Sequence, residues 1–85
     1  MDEKTIRTLV DAGGVKQINI IADGGLFHVD IVTAKKDVIT ALTSKGSIKT
    51  WSALDSAAKW VRSLGVGKAQ VDIAHWRPGQ RTLRL

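Results

Sequence analysis

The chain of 85 residues carries a net charge of +5 and contains no cysteine. Its length allows one domain, and the lack of cysteine excludes a disulfide framework and a thiolate metal site. No apolar run approaches the roughly 18–20 residues of a membrane span, and the acidic start is unlike a signal peptide, so we expect a cytoplasmic protein without a membrane partner.

The first third of the chain predicts a helix followed by a β-hairpin. An apolar stripe in residues 3–12 indicates the helix, and Gly13-Gly14 ends it. Residues 15–22 and 26–34 alternate apolar and polar side chains, and Asp23-Gly24-Gly25 between them is a strong turn signal. We therefore expect two antiparallel strands with one buried face.

The middle of the chain predicts a second hairpin. Residues 38–43 and 48–51 read as its strands, with Lys45-Gly46 at the tip. Residues 37–42 are also compatible with a helical turn, because a short apolar run does not distinguish the two periods.

An amphipathic helix follows this segment directly. Ser52 and Asp55 have the spacing of a capping box. An apolar stripe then recurs at helical intervals from Leu54 to Leu64. Gly65 is placed to take the left-handed conformation that commonly ends a helix.

Residues 69–76 predict a last strand, with Val71 and Ile73 facing the core. Pro78 ends it, because proline cannot donate to a central ladder. Residues 78–85 are either an additional strand or a disordered end. The order α-β-β-β-β-α-β predicts one α+β domain with a mostly antiparallel sheet and its helices packed on one face.

No catalytic site can be identified from the residue types or their spacing. No nucleophile is accompanied by a base and an orienting group, so we expect neither enzymatic activity nor a cofactor. His28 and His75 lie on separate strands without the spacing of a metal site. The glycine pairs fit turns and do not match a phosphate-binding loop.

Charge is unevenly distributed along the chain. Residues 1–34 hold three basic and five acidic residues, and residues 35–85 hold ten basic and three acidic ones. A basic half indicates DNA or RNA as a partner, but it also fits a solubilising surface or lysines that protect a sheet edge. The cations expected to contact phosphates are Lys35, Lys36, Lys45, Lys49, Lys59, Arg62, Arg77 and Arg81.

Three tryptophans, Trp51, Trp60 and Trp76, supply all but one of the aromatic residues. One interpretation is that they close the core between helix and sheet. The other is that some are partly exposed among the basic residues. They would then stack on nucleic-acid bases or anchor a protein partner.

Residues 49–76, KTWSALDSAAKWVRSLGVGKAQVDIAHW, resemble small plasmid-backbone proteins of the ParC partition-associated type. The shared pattern is a strand with an aromatic residue, a capped helix with an Ala-Ala pair, and Leu-Gly leading into another strand. The matching residues are Trp51, Ser52, Leu54, Asp55, Ala57, Ala58, Leu64, Gly65, Val66, Val71 and Asp72. The resemblance implies a non-enzymatic accessory role around bacterial plasmids or mobile elements and assigns no site residues.

We therefore expect a non-catalytic accessory module that binds nucleic acid through its basic C-terminal half. The alternative is a protein-interaction or homodimerisation module, in which the charge serves solubility.

Overall fold

The computed structural model describes residues 1–77, which form two helices and a four-stranded sheet. The elements are α1 (Glu3–Asp11), β1 (Val15–Gly24), β2 (Leu26–Thr33), β3 (Val38–Thr40), α2 (Leu54–Ser63) and β4 (Gln70–Trp76). The strand order across the sheet is β3-β2-β1-β4. The pairs β1–β2 and β2–β3 are antiparallel, and β4 joins β1 in parallel. The predicted α+β class with a mostly antiparallel sheet is confirmed.

The core lies on one face of β1 and β2, and both helices cover it. Alternate residues of the two strands are buried there, and one residue of α1 and the apolar stripe of α2 close over them. The main buried side chains are Ile18, Ile20, Ala22, Phe27, Val29 and Ile31 from the strands, and Ile6, Ala57, Val61 and Leu64 from the helical layer. Neither helix within residues 1–77 has the length and hydropathy needed to cross a membrane.

Glycine at positive φ ends two of the predicted elements. Gly24, with φ of 65°, turns the chain between β1 and β2, where Asp23 pairs with Leu26. Gly65, with φ of 94°, follows α2 as predicted, and its N–H donates to the carbonyl of Arg62 at 3.0 Å. A side chain is strained in this left-handed region, so glycine fits both positions.

The predicted capping box of α2 is wrong. The helix begins one residue later than that pattern requires, with Ala53 as its N-cap and no side-chain hydrogen bond to the cap. Ser52 therefore lies outside the helix, while Asp55 still meets the positive end of the helix dipole. At α1 the cap is formed by Asp2, whose carboxylate accepts from the N–H of Thr5 at 3.0 Å.

The second hairpin is shorter than predicted. After β3 the chain leaves the sheet edge in an excursion of residues 42–50, closed at its base by a bridge between Leu42 and Ile48. Trp51 then returns to the same edge and exchanges two backbone hydrogen bonds with Phe27, of 2.8 and 2.9 Å. The fourth extended segment of the predicted order is thus present as bridges and not as a regular strand. Gly46, with φ of 89°, lies at the tip of the excursion, as the sequence predicts for the turn of this hairpin.

The prediction that Val71 and Ile73 of β4 face the core is wrong, because both side chains are largely exposed. Val71 pairs with the buried Ile20 and so points to the helix-covered side, yet it is 46% exposed, and Ile73 is 52% exposed. The reason is positional: β4 is an edge strand, and α2 lies over β1 and β2 instead. Val71 and Ile73 therefore do not belong to the core.

Candidate interaction surface

A hydrogen-bonded network joins α1 to α2 across the top of the core. The indole N–H of Trp60 donates to Glu3 Oε1 at 2.9 Å, and Arg7 binds the other carboxylate oxygen at 2.9 Å. Arg7 also donates to the carbonyl of Ser63 at 2.7 Å. The hydrogen bond from Trp60, followed by that from Arg7, lowers the pKa of the Glu3 carboxyl. This network fixes the position of Trp60.

Trp51 and Trp60 contact each other beside this network. Their ring centroids are 5.1 Å apart with the planes tilted by 46°, a separation within the 4.5–7 Å that aromatic pairs favour. Lys49 Nζ lies 5.4 Å from the centroid of Trp51 and 5.7 Å from that of Trp60. The lysine therefore makes a cation–π contact with both rings. Trp51, Trp60 and Lys49 thus have partners within the fold, and base stacking by either ring would require these contacts to rearrange.

Trp76 lies in a different environment, at the end of β4. It is 38% exposed, and one side of its ring lies against buried Phe27, with 6.0 Å between centroids. Val71 faces the same side, since it pairs with buried Ile20, and a register shift farther along β4 brings Trp76 to that side as well. Ile73 lies within the shifted stretch and is exposed. We call these three side chains, Val71, Ile73 and Trp76, the β4 stripe.

A groove runs between α2 and the start of β4, where Val71 lies. Its volume is about 300 Å³, and its floor is formed by Ile20, Val61 and Val71. Ala58 forms part of the wall that α2 contributes. The groove is therefore an extension of the core surface that α2 does not cover.

The predicted phosphate-contacting cations are spread over the described part of the fold. Lys35 and Lys36 lie in the turn between β2 and β3, Lys45 lies at the tip of the 42–50 excursion, and Lys49 contacts the tryptophan pair. These positions belong to two separate connections of the fold, the turn between β2 and β3 and the excursion after β3.

The remaining predicted cations follow the excursion in sequence. Lys59 and Asp55 are 3.8 Å apart on α2, both highly exposed, and Arg62 lines the groove. Arg77 follows β4, and its N–H donates to the carbonyl of Gly24 at 2.9 Å. Arg81 lies outside the described residues.

The sheet face opposite the helices is polar and carries carboxylates. Asp30 accepts from the hydroxyl of Thr40 at 2.8 Å and lies 3.9 Å from His28, and Gln17 donates to both Asn19 and Gln70. In residues 1–77 no group of histidine and acidic side chains is arranged to hold a metal ion. Carboxylates repel a phosphate backbone, so this face does not favour nucleic acid.

Comparisons of the chain with protein-family models, curated proteins and solved structures find no match. The resemblance of residues 49–76 to partition-associated proteins therefore stays a prediction from the sequence.

Proposed function

We propose that the chain is a non-catalytic, cytoplasmic protein-interaction module, and that the β4 stripe is its binding surface. The observation that carries the proposal is the exposure of three large apolar side chains, Val71, Ile73 and Trp76, on one short edge strand. Single exposed apolar residues are ordinary, but several on one strand next to an apolar groove are typical of an interaction site.

The magnitude of the available burial supports this role. Full burial of a valine or isoleucine side chain contributes about 1.5–3 kcal/mol. Val71 and Ile73 are each about half exposed, so a covering partner would gain roughly 1 kcal/mol from each. Trp76 adds an aromatic anchor, and tryptophan is enriched among the residues that dominate binding energy. Its ring is already held against Phe27, which lowers the entropy lost on binding.

A peptide-display selection tests this function. Peptides selected on the full chain are titrated against the wild type, against Ile73→Lys and against Ile48→Lys. Ile48 is 57% exposed and lies in the excursion, outside the β4 stripe, so it is a matched control for adding a lysine to an exposed isoleucine. We expect Ile73→Lys to weaken binding at least tenfold and Ile48→Lys to leave it unchanged. Recovery of no binding peptide, together with a monomeric mass, would contradict the function.

Nucleic-acid binding is a second candidate, supported by a separate observation. Among residues 1–77, Lys35, Lys36 and Lys45 are exposed and form no salt bridge with a carboxylate. Exposed cations of this kind contribute to salt-dependent phosphate binding. The plasmid association belongs to this candidate and derives from the sequence resemblance.

Fluorescence anisotropy of labelled single- and double-stranded DNA at two salt concentrations tests the second candidate. We expect an affinity that falls as salt rises and that falls further in Lys35→Gln/Lys36→Gln. An affinity independent of salt would exclude phosphate contacts as the main contribution.

A further inference from the structure

The helical layer of the fold leaves room for one more helix. Within residues 1–77 the sheet has four strands, and α2 lies over β1 and β2, so neither helix of this part of the chain covers the helix-side face of β4. Neighbouring strands are about 4.8 Å apart and packed helices about 8–10 Å apart. A helix beside α2 would therefore lie over β1 and β4, where the groove and the β4 stripe are.

The side chains on this surface favour a helix over an added strand. A strand that paired with the outer edge of β4 would extend the sheet but leave Val71 and Trp76 uncovered on the helix side. A helix lying in the groove covers Val71 directly. Ala58 on the wall of α2 is small, which permits the close approach that helix packing needs.

The charges around the groove define the chemistry of the partner. Arg62 of α2 and Lys68 of the following connection both line the groove, and among residues 1–77 no acidic residue does. Carboxylates on a partner would meet these two cations at the rim, while lysine or arginine there would be repelled.

We propose that the groove and the β4 stripe receive an amphipathic helix of a partner protein, with acidic residues flanking its apolar face. This inference rests on the proposed interaction function and specifies the partner for the same surface. Apolar residues at helical spacing would fill the groove and cover the β4 stripe, and the flanking carboxylates would set the orientation and the selectivity.

Two synthetic helical peptides with the same apolar positions test the charge requirement. One carries glutamate at the flanking positions and the other carries lysine, and both are titrated by anisotropy against the full chain. We expect the glutamate peptide to bind about fivefold tighter or more, as two exposed charge pairs allow. The double variant Arg62→Glu/Lys68→Glu should reverse this order, because both residues are exposed and their substitution leaves the core intact.

A second double variant controls for the change in net charge. Lys35→Glu/Lys45→Glu changes the net charge by the same amount at positions outside the groove. We expect it to keep the preference of the wild type for the glutamate peptide. Equal reversal in both double variants would show a long-range charge effect and would overturn the assignment to the groove.

The other outcomes separate this inference from the proposed function. If the selected peptides bind the wild type but have the sequence pattern of a strand or a basic segment, the proposal of an acidic helical partner is wrong and the proposed interaction function still holds. A dimeric mass by light scattering, with peptide competing for the dimer, would identify a second copy as the occupant. The double variant Leu83→Ser/Leu85→Ser removes two apolar side chains near the end of the chain. If the peptides bind this variant and not the wild type, the last residues of the chain itself are the occupant of the groove. Absence of any binding peptide in a monomeric chain would overturn both.

Discussion

The indole N–H of Trp60 donates to the carboxylate of Glu3 at 2.9 Å, across a separation of 57 positions in the sequence. This contact holds α1 against α2 at the rim of the core. It also assigns Trp60 a structural role, in contrast to Trp76, which is exposed on the β4 stripe.

Replacing Trp60 by Phe should destabilise the fold by about 1.5 kcal/mol, the lower end for a hydrogen bond to a charged group, because a six-membered aromatic ring remains while the indole N–H is lost. Urea unfolding measures the change. Trp51→Phe is the matched control, since the Trp51 indole N–H makes no hydrogen bond within residues 1–77. Equal loss in the two variants would mean that packing, and not the bond to Glu3, accounts for the effect.

The Trp60–Glu3 bond should also make stability depend on pH. Because hydrogen bonds from Trp60 and Arg7 lower the pKa of Glu3 below its ordinary value of 4.5, the carboxylate stabilises the fold above that value. The contribution is lost as pH falls through the lower pKa of the folded state. The free-energy difference between the wild type and Trp60→Phe should therefore narrow as pH is lowered below about 4.5. A constant difference across this range would contradict the role of Glu3.

Removing the charge of Lys49 should destabilise the fold modestly. Lys49→Gln loses the cation–π contacts with Trp51 and Trp60, worth about 0.5–1 kcal/mol at a partly exposed site. The tryptophan fluorescence should change as well, since the charge lies within 6 Å of both rings. Lys45→Gln at the exposed tip of the excursion should alter neither property, and a similar change there would argue for a general charge effect.

Two isoleucines of the sheet should respond differently to truncation. Ile20 is 2% exposed and Ile73 is 52% exposed. Ile20→Ala should destabilise the chain by about 2–5 kcal/mol through lost burial and a residual cavity. Ile73→Ala should change stability by less than about 0.5 kcal/mol while weakening partner binding. Thermal or urea unfolding of both variants measures the contrast, and a large loss for Ile73→Ala would show that the β4 stripe is covered in solution.

Alanine should be tolerated at Gly67 but not at Gly65. Gly65 has φ of 94°, where a side chain is strained by about 1–2 kcal/mol. A Cβ at Gly67 would have no atom within 4 Å and no positive φ to adopt. Urea unfolding should thus show a loss for Gly65→Ala and little change or a small gain for Gly67→Ala. The reverse order would indicate that the connection after α2 adopts another conformation.

The β1–β2 hairpin and the end of α2 could be predicted because their signals are local. Alternation, the Asp23-Gly24-Gly25 turn and Gly65 each involve a few neighbouring residues. The start of α2 was misplaced, because Ser52 and Asp55 match the capping pattern in spacing but not in conformation. The i, i+4 pair of Glu3 and Arg7 could also have been found, since opposite charges at this spacing meet on a helix.

The candidate interaction surface could not be predicted from the sequence in the same way. Val71 and Ile73 alternate with polar residues just as buried strand residues do, and their exposure depends on which strands α2 covers. Likewise, no pattern within residues 49–60 shows that Lys49 lies over two tryptophans, because the contact requires α2 to fold back beside the excursion. Predicting these features requires the relative placement of helix and sheet.

The length of the excursion, residues 42–50, does not determine how the strands of the sheet pair. Trp51 resumes the pairing with β2 at Phe27, on the edge that β3 has left, so the number of residues in between does not set which side chains face the helices. A doubling of a loop's length adds only about 0.6 kcal/mol of closure entropy. Insertions at its tip should therefore leave the side chains of the core, the tryptophan pair and the β4 stripe on the same faces of the sheet. The excursion is thus a suitable position for grafting a reporter sequence.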